Sequence, residues 1–144
     1  MKLGLDIDKI GRIISRKVEA AVIKSIDDNM TVSQASVIDF ISNISSSDDI
    51  FQKDLEKEFD LKRSSVSLML NNMEKNDLIK RVPVAEDARL KKIVLTEKAI
   101  GLSEKISNAI DLVENDLAEG ITPEEVEVFY KVLDKIRNNL EDNN

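Results

Sequence analysis

Apolar residues Ile10, Ile13, Ile14, Val18, Ala21, Val22 and Ile26 return every three or four positions, the period of one helix face. Residues 6 to 28 are therefore predicted to form one long amphipathic helix, ended by Asp27, Asp28 and Asn29. Thr31 with Gln34 makes a capping box, in which a hydroxyl and an amide satisfy each other's backbone N–H groups. It opens a second helix through Ala35, Val37, Ile38, Ile41 and Ile44, and the run Ser45 to Asp49 reads as a turn. Asp49 is placed to cap a short helix carrying Phe51, Leu55 and Phe59, and Asp60 to cap a further one running to about Asn76.

From Leu78 to Leu95 the helical period gives way to β-branched residues on both sides of Pro83 to Asp87, the pattern of a β-hairpin with a charged tip. Thr96 then caps a long helix through Ile100, Ile106, Ile110, Val113 and Leu117, which Gly120 stops. Thr122-Pro123-Glu124-Glu125 is the clearest helix start in the chain: a capping threonine, proline at the first helical position and a glutamate completing the box. The last helix carries Val126, Phe129, Tyr130, Leu133, Ile136 and Leu140, and the tail EDNN is expected to fray.

Composition narrows the chemistry. The 144 residues contain no Cys and no His, which removes disulfides, thiolate metal sites, cysteine nucleophiles and the commonest general base. The glycines are isolated, with no phosphate-binding loop and no GxSxG, so an enzyme is not expected, nor a metal or cofactor site. No apolar run approaches the length of a membrane span and the N-terminus carries acids where a secretory signal needs apolar residues, so the expected location is cytoplasmic.

The net charge of −7 argues against nucleic acid until it is divided along the chain. Residues 1 to 60 carry 8 basic and 12 acidic side chains, residues 61 to 98 carry 9 and 5, and residues 99 to 144 carry 4 and 11. The basic island coincides with the short-helix, helix and hairpin segment, the order of a winged helix-turn-helix whose second helix enters the DNA major groove. On a helical wheel of that helix, Val66, Met69, Leu70 and Met73 share one face, and Ser64, Ser67, Leu68, Asn71 and Lys75 the other. Short hydroxyl and amide side chains allow a helix to approach base edges, and Asn can pair with adenine. Lys62 and Arg63 in the first turn suit phosphates. Leu68, apolar on a wet face, suits a thymine methyl.

The segment LKRSSVSLMLNNMEKNDLIKRV followed by DARLKKIVLT resembles the recognition helix and wing of the multiple antibiotic resistance regulator (MarR) family. The specific part is Asp87-x-Arg89 six residues before Leu95-Thr96, downstream of Leu78-Ile79-x-Arg81, and with the helix order the resemblance covers nearly the whole chain. It implies a mainly α fold with a β-hairpin wing and a subunit in which residues 31–96 form the DNA-binding core and residues 1–30 and 97–144 the dimerisation helices. Carried over residue by residue, Arg89 would reach the minor groove with Asp87 orienting it, while Arg63, Ser64, Ser65 and Ser67 would lie at the major groove. The chain departs from the family's usual residues at Leu68, where an arginine is common, and at Asp77 and Ala99, where glycines are.

Independently of that resemblance, an arginine at a hairpin tip suits a narrow A·T-rich minor groove, with Lys91 and Lys92 holding the flanking phosphates. Arg81 is counted with the candidate DNA-binding residues. The terminal helices exceed what a small winged core needs, and a two-fold partner would bury Ile10, Ile14, Val126, Phe129, Leu133 and Ile136. The expectation is a homodimeric regulator of a pseudo-palindromic operator, a repressor released by a small organic effector. A winged-helix module that binds a protein partner, as an adaptor or anti-repressor, is the alternative.

Overall fold

The computed structural model describes residues 1–26, 30–44 and 48–141. The elements run α1 (Leu3–Ile26), α2 (Val32–Asn43), α3 (Gln52–Glu58), α4 (Arg63–Lys75), β1 (Ile79–Pro83), β2 (Lys91–Leu95), α5 (Glu97–Ala118) and α6 (Pro123–Glu141). The predicted helix end at Asp27–Asn29, the predicted turn at Ser45–Ser47 and the fraying expected of Asp142–Asn144 lie outside the described residues. None of the described helices is long and apolar enough to cross a membrane. The chain divides into two compact units, residues 1–113 and 114–144.

The first unit is a winged helix-turn-helix fold. Its core is aliphatic, as the scarcity of aromatic residues requires: Val22 of α1, Val37 and Ile38 of α2, Leu55 of α3, Val66, Leu70 and Met73 of α4, Ile79 of β1 and Ile106 of α5 are all fully buried. The aromatic contribution is the edge-to-face pair of Phe40 and Phe59, with ring centroids 5.8 Å apart, which packs against this core. Only the C-terminal half of α1 joins in, through Val18 and Val22, while Leu3, Leu5, Ile7, Ile10 and Ile13 stay exposed.

The wing is a two-stranded antiparallel hairpin with Ile79 opposite Leu95 and Pro83 opposite Lys91. A third stretch of backbone braces it: the Ile93 N–H donates to the Ile50 carbonyl at 2.7 Å. At the tip, Val84 N–H donates to the Leu90 carbonyl and Leu90 N–H to the Asp87 carbonyl, both at 3.0 Å, so the loop is internally hydrogen-bonded.

Two predicted caps are corrected. Asp49 does not cap α3; Phe51 holds the N-cap position and its N–H is satisfied by Asp54 at 2.8 Å, while Asp49 faces Lys92. Asp60 does not cap α4, which starts after Lys62 without a side-chain cap. Asp60 ends α3 instead, with φ of 49°, the Leu61 N–H reaching back to the Glu56 carbonyl at 3.0 Å and the Asp60 N–H to Lys57. Asp77 repeats the arrangement after α4, with φ of 56° and the Leu78 N–H bonded to the Met73 carbonyl at 2.9 Å. These are Schellman endings with aspartate in the left-handed position that glycine usually fills, which its short polar side chain tolerates better than most.

The other caps stand as expected. Thr31 and Gln34 form the reciprocal box, and Thr122 and Glu125 form another, at 3.2 and 2.9 Å. In the second unit, α6 follows the left-handed Gly120 (φ 76°) and has no buried residue, although Phe129 and Tyr130 meet edge to face.

Thr96 does more than cap. Its buried hydroxyl donates to the Asp77 carbonyl at 2.6 Å and accepts from the Ala99 N–H at 3.2 Å, while its own N–H donates to the Leu78 carbonyl at 3.1 Å. Thr96→Ala is expected to cost about 2 kcal/mol, since a helix cap and a part-buried hydrogen bond are lost together. Urea unfolding checks this, and an unchanged midpoint would remove Thr96 as the junction of α4, the wing and α5.

Candidate nucleic-acid interface

The outer face of α4 is polar because its inner face is fully used. Val66, Leu70 and Met73 point into the core, which leaves Ser64, Leu68, Asn71 and Lys75 in solvent, and Lys62, Arg63 and Ser65 are exposed at its start. None of the ion pairs among the described residues uses Lys62, Arg63, Lys75 or Lys91. These four cations of the predicted basic patch thus stand at the surface outside the ion pairs of the described residues, whereas Arg89 and Lys92 each face an aspartate.

Four predicted contact residues, Ser67, Asn71, Arg81 and Lys92, are engaged with other elements of the fold. Ser67 is half-buried and its hydroxyl accepts from Gln52 Nε2 at 2.8 Å; the same amide donates to the Arg63 carbonyl at 3.3 Å. Gln52, in the first turn of α3, therefore clamps α3 to the first turns of α4 across the helix-turn-helix. Asn71 Oδ1 accepts from Arg81 Nη2 at 2.9 Å, which ties the middle of α4 to β1. Arg81 is half-buried, and its Nε finds no hydrogen-bond partner among the described residues. Lys92 lies 3.5 Å from Asp49, so the wing's second strand is pinned to the segment before α3 by charge as well as by the Ile50 carbonyl.

At the wing tip the side chain of Arg89 is 92% exposed. Asp87 Oδ1 accepts from both the Arg89 backbone N–H at 3.0 Å and its Nε at 3.3 Å. One carboxylate oxygen thus fixes the loop conformation and the start of the guanidinium's path, while neither terminal nitrogen has a hydrogen-bond partner among the described residues.

Gln52 and Asp49 were not among the predicted site residues. Gln52 stands 15 positions from Ser67 and carries no local motif, and Asp49 stands 43 from Lys92, so only the fold brings either pair together. The register of a helix start in a helix-turn-helix is the one signal that singles out Gln52.

A cavity of about 470 Å³ opens between the C-terminal part of α2, the base of β2 and the first turns of α5. Ile41, Ile44, Ile93 and Leu95 make its apolar lining, and Asp49 and Lys92 belong to its polar part.

Residues 28–90, which contain the helix-turn-helix and most of the wing, match the sequence model of the MarR family. The transcription regulator MarR from Oenococcus oeni PSU-1 shares 28% identity with the chain, with a TM-score of 0.82 over 95% of this chain and 99% of that one. MepR of S. aureus, solved in complex with DNA, shares 25% identity, with a TM-score of 0.84 over 96% of this chain and 98% of that one. FabT of Streptococcus pneumoniae, also solved with DNA, has the same fold at 22% identity, with a TM-score of 0.73 over 99% and 97%. The winged core is thus similar in sequence to the MarR family, and the fold is matched along almost the whole length by solved transcription regulators of that family.

Proposed function

We propose that this chain is a homodimeric, sequence-specific DNA-binding regulator, a repressor that a small organic effector releases. The observation that carries the reading is Arg89: a fully presented guanidinium at the tip of a hairpin, pre-set by Asp87 and flanked by Lys91. Such a group meets the negative potential of a narrow minor groove with little ordering left to be done on binding. Lys62, Arg63 and Lys75 supply phosphate contacts around α4, and Ser64, Ser65 and Leu68 lie where base edges pass. Residues 31–96 are in this reading the DNA-binding core.

Dimerisation is supported by apolar surface left in water. Leu3, Ile7, Ile10 and Ile13 form a stripe on α1, and Val126, Phe129 and Tyr130 are exposed on α6, whose Leu133 and Ile136 are only half-buried. Ile14 differs from its companions, since it packs partly on the chain's own core. A 19-residue helix with no buried residue is marginal alone and needs a partner surface. Residues 1–30 and 97–144 are the proposed dimerisation elements, and a two-fold axis through them would set two α4 helices about one DNA turn, roughly 34 Å, apart. The cavity beneath the wing supports effector control, because an apolar ligand there would bear on Lys92 and β2.

Two outcomes are expected of the proposed DNA contact. Fluorescence anisotropy with duplex DNA from upstream of the protein's own gene should show specific binding whose log affinity falls with log salt by about 0.9 for each phosphate contacted. Arg89→Ala should weaken it by about tenfold or more, the range of one well-placed arginine contact, with the dimer intact. Salt-insensitive association, or equal affinity of variant and parent, would favour a protein partner instead.

Phe129→Asp places a charge where the dimer would be dry but the single chain is wet. Sedimentation should therefore show a folded monomer, and a persisting dimer would refute the interface. Calorimetric titration with phenolic acids should find a ligand that lowers DNA affinity, and Ser42→Trp at the cavity should blunt it. If no compound changes DNA affinity, the effector reading falls.

A further inference from the structure

Leu68 is 64% exposed in the middle of the outer face of α4, with Ser64 one turn before it and Asn71 and Lys75 after it. It differs from the apolar residues exposed on α1 and α6, which recur along a helix face as a helical partner requires, whereas Leu68 stands among hydroxyl, amide and cationic groups. A protein hot spot is a cluster of apolar anchors in a dry pocket, and a single leucine ringed by polar groups does not supply one. The major-groove edge of DNA does offer an isolated apolar group set among acceptors and phosphates, the 5-methyl of thymine.

The polar neighbours point the same way by being occupied. Reading adenine through an amide needs an Asn acceptor and donor side by side, and Asn71 Oδ1 is held by Arg81. The Ser67 hydroxyl is held by Gln52. The face therefore has phosphate-binding cations at its ends, a committed hydroxyl and a committed amide beside its centre, Ser64, Ser65 and Asn72 exposed around them, and an apolar side chain in the middle. We infer that Leu68 is a base-reading residue of α4 and that it selects a thymine by its 5-methyl group. The inference rests on the DNA-binding reading and adds how the major groove is read.

The selectivity this supplies is modest. Burying one methyl-sized group is worth about fourfold in affinity, or about fifteenfold over two half-sites of a dimer.

The test uses the unaltered full-length protein on an operator obtained by selection from random duplexes, with each thymine of the half-site replaced in turn by deoxyuridine, which pairs identically and lacks the methyl. One position per half-site should lose about fourfold in affinity. Plain cytosine there should bind more weakly than 5-methylcytosine. Leu68→Ala should lose a similar factor on the thymine operator and become indifferent to deoxyuridine at that position. In a repeated selection, Leu68→Arg should exchange the thymine for guanine. Equal affinity for thymine and deoxyuridine at every position, with specific binding retained, would overturn the role of Leu68 and leave the DNA-binding reading standing. Absence of any enriched duplex would overturn both.

Discussion

The buried hydroxyl of Thr96 holds together the parts of the molecule that bear on function. Three hydrogen bonds meet at this residue, one to the carbonyl that follows α4, one to the carbonyl at the start of the wing, and one from the first turn of α5. Because the Asp77 carbonyl to which it donates belongs to a residue at positive φ, the left-handed ending of α4 and the starting point of α5 fix each other. The wing leaves and returns through the same junction, with Ile79 paired to Leu95 beside it. A displacement of α5 is thereby felt at the end of α4 and at the base of the hairpin, the mechanical link that control of DNA binding by a ligand would use.

Around this junction the polar side chains of the helix-turn-helix are spent on placing elements. Gln52 sets α3 against α4, Arg81 ties α4 to β1 through Asn71, and Lys92 with Asp49 pins β2 to the segment before α3. Each bond is weak on an exposed surface, where an ion pair contributes under about 1 kcal/mol. Their value is geometric: the cations that remain, Lys62, Arg63, Lys75 and Arg89, are carried on elements whose relative positions are already set, so less ordering is left to be done on binding.

The fold was legible in the sequence wherever the signal is local. The periodicity of α1, the boxes at Thr31 and Thr122, the stop at Gly120 and the Asp87-x-Arg89 tip all sit where the residues place them, since each depends on neighbours a few positions apart. The aspartate cap at Asp60 fails for an equally local reason. An Asp between two helices can cap the second or terminate the first, and the choice at Asp60 is made by a backbone N–H that reaches back to Glu56, which composition does not reveal. The same logic gives the departure from glycine at Asp77 its meaning, since the position keeps its positive φ with a residue that tolerates it. What was out of reach was long-range pairing. Ser67, Asn71 and Lys92 looked free on a helical wheel or hairpin diagram, and their partners lie 10 to 43 positions away.

That redistribution of polar groups changes how recognition should work. With Ser67 and Asn71 engaged and no arginine at the centre of α4, the proposed major-groove contact has less hydrogen-bonded readout, so discrimination per half-site would be small and shape readout by Arg89 would matter more. In the proposed dimer a weak half-site would make the second subunit indispensable, because linking two modest contacts multiplies their affinities only while both fit the spacing of the DNA. It would also make the proposed complex easy to release, since a shift that spoils the fit of one half-site removes most of the binding. The acidic remainder of the chain, −4 over residues 1 to 60 and −7 over residues 99 to 144, works in the same direction. It disfavours loose attachment to phosphates everywhere except at the basic island, so that contact survives only where the α4 face and the wing tip engage together.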